Sequence, residues 1–385
     1  MDRKLKAQPQ TVCMELLREL VRAESVNPPG REAAAAEVLE RFLARHAIEA
    51  RREEVAPGRP NVIATVGKGK PRVLLTSHLD VVPAGEEKRW KHGPFGAEIE
   101  EGVLYGRGAC DAKGSIAAMA AALVEMAKAP PYEVVLAAVM GEEKGALGSK
   151  HFAERDSGFD AAIVGEPTEL AVATGQKGRL GIEIEIIGEA SHPTRAKIET
   201  SAIVRMGELS GFLREFGEKV EAKKQGAFVP VRVAAGEEGV LTPPERCVVG
   251  VSWWFPPSMD HEEAIKAFRS ALTKAFGRKH EVRFHKGAGS YEISRTHALV
   301  ATAKRAVETV TGREARTGEF GASCDMYVFG RKGIPTIALG PGSLADAHAP
   351  DECVDLEDVE AAARIYGLIV EGYRRAFHTR EAKRT

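Results

Sequence analysis

Short apolar runs that alternate with helical stretches dominate the first half of this sequence. Helical spacing of apolar residues predicts helices at Val12–Ala23, Arg31–His46 and Gly114–Lys128. Brief apolar runs predict buried strands at Arg72–Ser77, Glu133–Met140 and Ala161–Val164. Strands that are separated by helices in this way form a sheet covered by helices on both faces. The pattern therefore predicts an α/β fold.

The pattern changes near Gly178, where apolar and polar residues begin to alternate. Leu180–Ile187 is typical of a half-exposed strand in an antiparallel sheet. The residues after it predict a helix at 201–216, a strand at 247–255, a helix at 262–276 and a strand at 281–284. The α/β pattern then returns, with a helix at 296–310, a buried strand at 335–339 and a long helix at 356–376. We therefore expect one α/β domain, residues 1–178 and 290–385, with a smaller α+β domain inserted at 179–289.

Charge and cysteine content limit the partners and the location of the chain. The 54 Lys and Arg residues balance the 55 Asp and Glu residues, so no strong field attracts nucleic acid or an anionic membrane. The N-terminal MDRKLKAQPQ has no apolar core of a signal peptide, and the apolar runs are far too short to span a bilayer. The 5 cysteines are scattered and form no CxxC motif, which is typical of reduced thiols. We expect a cytoplasmic protein with no nucleic-acid or membrane partner.

Histidines and carboxylates stand where predicted strands end and where a helix opens. The segments that carry them are HLD at 78–80, GRGACDAKG at 106–114, GEE at 141–143, GEPT at 165–168 and AHAPDE at 347–352. Catalytic zinc takes His nitrogens and carboxylate oxygens and keeps a position open for water. An α/β sheet places its active site at strand ends. These segments therefore indicate a metal site, and paired ions need one carboxylate that bridges them.

Two pairs of neighbouring residues suggest a division of roles. His78 and Asp80 point the same way in an extended segment, so Asp80 can hold the second imidazole nitrogen of His78. The adjacent carboxylates of Glu142 and Glu143 repel each other unless a cation separates their roles. One of these two glutamates can bind metal while the other stays free as a base.

The ordered segments HLDVVP, GRGACDAKG, GEEKGALGS, GEPT and AHAPDE resemble the signature segments of the M20 family of metallopeptidases and deacylases. That family includes acetylornithine deacetylase, succinyl-diaminopimelate desuccinylase, aminoacylase and glutamate carboxypeptidase. The resemblance covers nearly the whole chain, including the inserted domain. It implies a metallohydrolase domain with a mixed sheet and an inserted ferredoxin-like domain that serves as lid and dimerisation domain.

The resemblance also implies a set of two divalent metal ions and their ligands. His78 and Glu166 would bind one ion, Glu143 and His348 the other, and Asp111 would bridge both. Three carboxylates and one hydroxide balance the charge of two zinc ions, which avoids the cost of a buried net charge. Zinc is the expected metal, although the same ligands accept cobalt or manganese.

The implied reaction is hydrolysis of an amide bond in an N-acyl amino acid or a short peptide. Glu142 would be the general base, which takes a proton from the metal-bound water and passes it to the leaving amine. His192 resembles the family histidine that reaches the active site of the neighbouring subunit, where it would stabilise the oxyanion. This role implies a homodimer with shared active sites. A structural role for His192 in its own loop is the alternative.

Trp254 departs from the family pattern, because many members carry there an Arg that pairs with the substrate carboxylate. A Trp forms no bidentate ion pair, so the substrate is expected to differ from the usual acidic-acyl or free-carboxylate type. Packing of Trp253 and Trp254 within the inserted sheet explains the same residues equally well. Lys177 and Arg179 remain alternative partners for a carboxylate.

Several other interpretations stay open or are disfavoured. A dipeptidase or carboxypeptidase of the same family is the alternative enzyme. A non-catalytic binding relative should have lost Glu142 or a metal ligand, and none is lost. A nucleotide-binding protein is disfavoured because neither GxGxxG nor GxxxxGK[ST] occurs. Asp325 resembles a family loop near the substrate, and Cys110 and Cys324 are interpreted as buried, inert thiols.

Overall fold

The computed structural model describes residues 12–277 and 281–381. Its helices are α1 (Val12–Arg22), α2 (Glu32–Arg45), α3 (Gly114–Lys128), α4 (Leu147–Arg155), α5 (Ala202–Ala222), α6 (His261–Phe276), α7 (Ala298–Thr311), α8 (Met326–Gly330) and α9 (Leu356–Glu381). Its strands are β1 (Ala50–Ala56), β2 (Arg59–Val66), β3 (Arg72–His78), β4 (Glu98–Glu100), β5 (Val103–Tyr105), β6 (Glu133–Val139), β7 (Ala161–Val164), β8 (Val172–Gln176), β9 (Gly178–Ile187), β10 (Ala227–Ala235), β11 (Arg246–Phe255), β12 (Glu281–Lys286), β13 (Tyr291–Glu292), β14 (Thr317–Phe320), β15 (Thr336–Ala338) and β16 (Cys353–Asp355).

The chain divides into two compact units. The first unit contains the described residues up to Gly175 together with those from Glu292 onward, and the second contains Gln176–Tyr291. The boundaries expected from the sequence lay at 178/179 and 289/290. Within the described ranges, no helix combines the length and apolar character needed to cross a membrane.

The main sheet of the first unit mixes parallel and antiparallel strands. Its order is β1-β2-β6-β3-β7-β15-β8-β13, and β14 also pairs with β8. Strand β3 pairs in parallel with both β6 and β7, whereas β1–β2 and β2–β6 pairs are antiparallel. The prediction of an α/β fold with a mixed sheet is confirmed.

The central strands explain why their sequences show apolar runs without alternation. Every residue of β7, and all but the first residue of β3 and β6, is buried. A strand that is covered on both faces needs apolar side chains on both of them. The predicted bounds of β7 and α3 agree with the observed ones, and the predicted strand at 335–339 is shorter, Thr336–Ala338.

The second unit is a four-stranded antiparallel sheet with helices packed on one face. Its strand order is β10-β11-β9-β12, and its elements follow the chain as β9-α5-β10-β11-α6-β12, a split β-α-β arrangement. Alternate residues of β9 and β11 are buried against α5 and α6. Trp253 is fully buried in this core, and its indole N–H donates to the Gln225 carbonyl oxygen at 3.1 Å. Trp254 therefore lies on the opposite face of the sheet.

Candidate active site

Three parallel strands carry candidate residues to the same edge of the main sheet. His78 ends β3 and pairs in register with Val139, the last residue of the neighbouring β6. Glu142 and Glu143 follow β6, and Glu166 follows β7, on the other side of β3. Because the carboxyl ends of parallel strands meet at one edge, residues far apart in sequence lie together there.

Asp111 lies between the two candidate histidines. Its Oδ1 is 3.0 Å from Nε2 of His78, and its Oδ2 is 3.2 Å from Nε2 of His348. The same His348 nitrogen is 3.0 Å from Oε1 of Glu143. Ligand atoms of His78, Asp111 and Glu143 all lie within 4.8 Å of one another. One carboxylate with an oxygen toward each histidine is the arrangement that a bridging metal ligand requires.

Glu166 adds a buried carboxylate to this cluster. Its side chain is 4% exposed, and its Oε1 has no hydrogen-bond partner among the described residues. Burial raises the pKa of Glu166 well above its ordinary value, and the neighbouring Asp111 and Asp325 raise it further, although His78 opposes them. A buried oxygen without a donor is costly unless a cation stabilises it. The His and carboxylate donor set therefore fits divalent metal ions.

The histidines of the cluster are held by negative neighbours. Hydrogen bonds to Asp111 and Glu143 raise the pKa of His348 to about 10. Burial alone would lower the pKa of His78, but its hydrogen bond to Asp111 helps to raise it well above the usual range. Burial alone would raise the pKa of Asp111, but its hydrogen bonds to the two histidines lower the pKa below its usual range. The cluster is thus an anionic site that attracts cations.

Asp80 is fully buried and holds the turn that carries Glu142 and Glu143. Its Oδ1 accepts the Glu142 N–H at 3.0 Å, and its Oδ2 accepts the Glu143 N–H at 3.2 Å. Nδ2 of Asn27 donates to the same Oδ2 at 2.8 Å. Nδ1 of His78 lies 2.9 Å from the main-chain carbonyl oxygen of Asp80 and 3.6 Å from its Oδ1. The carbonyl is thus the nearer partner of the histidine, and the carboxylate mainly orders the glutamate turn.

Glu142 and Asp325 form an acidic neighbourhood beside the cluster. Burial raises the pKa of Glu142 well above its ordinary value, and the charge of Asp325 raises it further. Asp325 is 2% exposed, and burial raises its pKa to about 6. Its Oδ2 accepts a hydrogen bond from the Ser149 hydroxyl, while no group in the described part of the chain donates to its Oδ1. A carboxylate with a raised pKa is a better proton acceptor than an ordinary one.

Sequence reasoning missed the residues that hold these groups in place, namely Asn27, Arg107, Ser149 and Glu352. Arg107 and Glu352 lie inside two of the quoted segments but had no assigned role. Their contacts join parts of the chain that are far apart, so no local spacing reveals them.

Of the remaining candidates, His192 and Trp254 belong to the second unit, and Cys110 and Cys324 are buried next to Asp111 and Asp325 in the first unit. His192 is exposed on a loop of the second unit, and its Nδ1 is 2.7 Å from the Thr194 hydroxyl. Trp254 pairs across strands with Arg179, whose guanidinium lies 5.7 Å from the centre of an indole ring of that Trp. Burial raises the pKa of the Cys110 and Cys324 thiols well above the usual range, which keeps them protonated.

The chain is similar in sequence to known proteins. The sequence model of peptidase family M20/M25/M40 matches residues 74–372. The chain is 28% identical to succinyl-diaminopimelate desuccinylase of Marinobacter nauticus, over 93% of this chain and 97% of that protein. It is 26% identical to acetylornithine deacetylase of Proteus mirabilis, over 94% of this chain and 96% of that protein.

Solved structures show the same fold. An M20 family metallo-carboxypeptidase from Sulfolobus solfataricus superposes with a TM-score of 0.80 at 20% identity, over 97% of this chain and 99% of that one. A dinuclear metal-binding M20 peptidase from Bacillus subtilis superposes with a TM-score of 0.66 at 15% identity, over 93% and 96% of the two chains.

Proposed function

The chain belongs to peptidase family M20/M25/M40, and from that membership we propose that it hydrolyses an amide bond in an N-acyl amino acid or short peptide at a two-metal site. The family and the deacylase relatives identify it as a metal-dependent amidohydrolase. The observation that carries the two-metal proposal is the position of Asp111, with one carboxylate oxygen toward His78 and the other toward His348.

The residues divide into two ligand sets around Asp111. His78 and Glu166 would hold one ion, and Glu143 and His348 the other. We propose zinc as the native metal, while the same donors accept cobalt and manganese. Bound ions of this kind lower the pKa of water and polarise the substrate carbonyl.

Glu142 is the proposed general base. Its raised pKa suits a group that takes a proton from the attacking water and returns it to the leaving amine. The hydrogen bond from its own N–H to Asp80 fixes the start of the turn that carries it. Asp80 is therefore proposed to orient Glu142 and Glu143 together, in addition to its main-chain contact with His78.

N-acyl amino acids are proposed ahead of dipeptides as substrates. The deacylase names of the relatives in the comparisons support this order. Trp254 occupies the position where many family members carry an Arg. Arg179 lies directly opposite Trp254 on the neighbouring strand and supplies a cation next to the indole face. We therefore make two proposals that can fail independently: the enzyme removes an acyl group, and Trp254 changes which acyl group is preferred.

A substrate panel tests both proposals. Metal-reconstituted protein is assayed with N-acetyl and N-succinyl amino acids, succinyl-diaminopimelate and dipeptides, with Glu142→Ala as the control. We expect hydrolysis of an N-acyl amino acid, and a loss of about 10²–10⁴-fold in the variant. Full activity of Glu142→Ala would reject the base, and a clear preference for succinyl-diaminopimelate would reject the role given to Trp254. No hydrolysis in the whole panel would favour the non-catalytic binding relative.

We further propose that the second unit forms a homodimer through β10, with His192 serving the active site of the partner subunit. β10 is an edge strand, and Val229, Val231 and Val233 on it are 51%, 64% and 55% exposed. Exposed apolar residues on an unpaired edge favour pairing with the same strand of a second copy.

Light scattering on a Val231→Lys variant tests this dimer. The matched control is Val240→Lys, since Val240 is 52% exposed in a loop of the same unit. We expect Val231→Lys to be monomeric and the control to remain dimeric. A monomeric wild-type protein with full activity would contradict both the dimer and the role of His192.

A further inference from the structure

Arg107 and Glu352 form a buried ion pair beside the candidate metal ligands. Each residue is 1% exposed, and Nη1 of Arg107 donates to Oε2 of Glu352. The guanidinium also lies 5.1 Å from the centre of a Trp90 ring. The two residues are 245 positions apart in the sequence, so the pair ties together distant parts of the first unit.

The second oxygen of Glu352 holds the loop that carries Asp111. Oε1 accepts main-chain N–H groups of Gly108 at 3.0 Å, Cys110 at 3.2 Å and Asp111 at 3.1 Å. Gly108 adopts a φ of 86°, a left-handed conformation that glycine tolerates well. A single carboxylate oxygen therefore gathers three N–H groups around itself and fixes the path of the chain into Asp111.

The guanidinium of Arg107 reaches the other ligand segment. Its Nη2 donates to the main-chain carbonyl oxygen of His348 at 3.2 Å. His348 has a φ of 62°, which is uncommon for a residue with a side chain. The contact from Arg107 stabilises the His348 peptide in the orientation that directs its imidazole toward Asp111 and Glu143.

Stability alone is a weak reason for such a pair. Removing two charges from water costs about as much as their attraction returns, and well-packed apolar residues often replace a buried ion pair without loss. Apolar residues could not, however, accept three N–H groups on one side and donate to a carbonyl on the other. The distinctive contribution of the pair is therefore geometric.

We infer that Arg107 and Glu352 are positioning residues that set the spacing between Asp111 and His348, and thereby the metal affinity of the site. This inference rests on the proposed two-metal function. Neither residue is a metal ligand in the proposed set. Loss of a partner that orients metal ligands typically weakens metal binding by about 10–100-fold.

Metal titration of Glu352→Gln and Arg107→Lys tests the inference. The Gln oxygen still accepts the three N–H groups but loses the charge that holds Arg107. The Lys side chain keeps the positive charge, but it lacks the two guanidinium nitrogens that contact Glu352 and the His348 carbonyl oxygen at the same time. Zn²⁺ and Co²⁺ affinities are measured by calorimetry on metal-free protein, and the Co²⁺ absorption spectrum reports the ligand geometry. Circular dichroism confirms that each variant is folded.

The control is Asp156→Asn, which breaks the bidentate pair between Asp156 and Arg72 at the start of β3. We expect about 10–100-fold weaker metal binding and an altered Co²⁺ spectrum in both test variants, and wild-type values in the control. Wild-type affinity in folded Glu352→Gln and Arg107→Lys would overturn the inference. An equal loss in Asp156→Asn would also overturn it, because the effect would then follow from general destabilisation. Failure of the wild-type protein to bind two ions would instead reject the proposed function.

Discussion

An Asp80→Asn substitution changes one oxygen of a buried carboxylate into an amide group while keeping its size. The carboxylate accepts three N–H donations, from Glu142, Glu143 and Asn27, at 3.0, 3.2 and 2.8 Å. An amide has only one oxygen to accept them. In its better orientation that oxygen keeps the contacts to Glu143 and Asn27, and the NH₂ group faces the N–H of Glu142.

The magnitude follows from that single lost acceptor. One hydrogen bond to a charged group contributes about 1.5–3 kcal/mol. The lost bond is the one from the Glu142 N–H, which fixes the turn that also carries Glu143. If this free energy is lost from that turn, metal affinity falls by about 10–100-fold, since 1.4 kcal/mol corresponds to a factor of ten. The bond from His78 to the Asp80 main-chain carbonyl is unaffected by the substitution, so the loss is expected at the Glu143 side of the site.

Calorimetric titration with Zn²⁺ and urea denaturation of the metal-free protein measure the two effects. The control is Asp160→Asn, because the Asp160 carboxylate accepts the Arg72 N–H at 2.8 Å at the opposite end of β3. The control should lose stability and keep its metal affinity. Wild-type metal affinity in Asp80→Asn would refute the role that we give to the carboxylate.

Three further predictions concern pH, metal and packing. In metal-free protein, burial raises the pKa of Asp325 from 3.8 to about 6, so the folded state retains a proton that the unfolded state releases. Asp325 should therefore contribute a fall in stability of about 3 kcal/mol as pH rises through this interval, and Asp325→Asn should make the fall measured by urea denaturation with a chelator present smaller by about that amount. Removing the metal with the chelator should lower the unfolding temperature at neutral pH, because each ion at a hundredfold excess over its Kd contributes about 2.7 kcal/mol; an unchanged midpoint would contradict metal binding. Phe268→Ala should cost about 3–5 kcal/mol, because Phe268 is fully buried with rings of Phe212, Phe216, Phe228 and Phe284 within 6.3 Å; intrinsic tryptophan fluorescence during urea denaturation, to which Trp253 of the same core contributes, measures the loss.

The sequence predicted the elements whose burial leaves a clear periodicity. Strands β3, β6 and β7 are covered on both faces, and their apolar runs predicted them within a residue or two. Strand β1 reads ARREEVA and was missed, because an exposed edge strand has no need of apolar residues. Strand β10 has valines at every second position, 229, 231 and 233, but they are exposed, and Pro230 between them disfavours a strand, so β10 was not predicted.

The sequence predicted those residues of the candidate site that stand in short, recognisable segments, but not the contacts between segments. His78, Asp111, Glu143 and Glu166 each stand in a recognisable segment, and the structure brings their segments to one edge of the sheet. The supporting contacts Asn27–Asp80, Ser149–Asp325 and Arg107–Glu352 join residues 53, 176 and 245 positions apart. Their partners are selected by three-dimensional packing, which no spacing in the sequence encodes.

The position of β15 in the main sheet means that the sheet can be completed only late in synthesis of the chain. β15 lies between β7 and β8, pairing in parallel with the first and antiparallel with the second. These two strands leave the ribosome long before residue 336. At about 5–20 residues per second, the ribosome needs roughly 10–30 s to reach β15, and the second unit is synthesised in that interval. Until then β7 and β8 lack the strand that pairs between them, and each has an unpaired edge. His348 is synthesised only after β15. If synthesis ends inside the second unit, the released chain has unpaired strand edges and lacks His348, one of the proposed metal ligands. Such a chain is prone to aggregate.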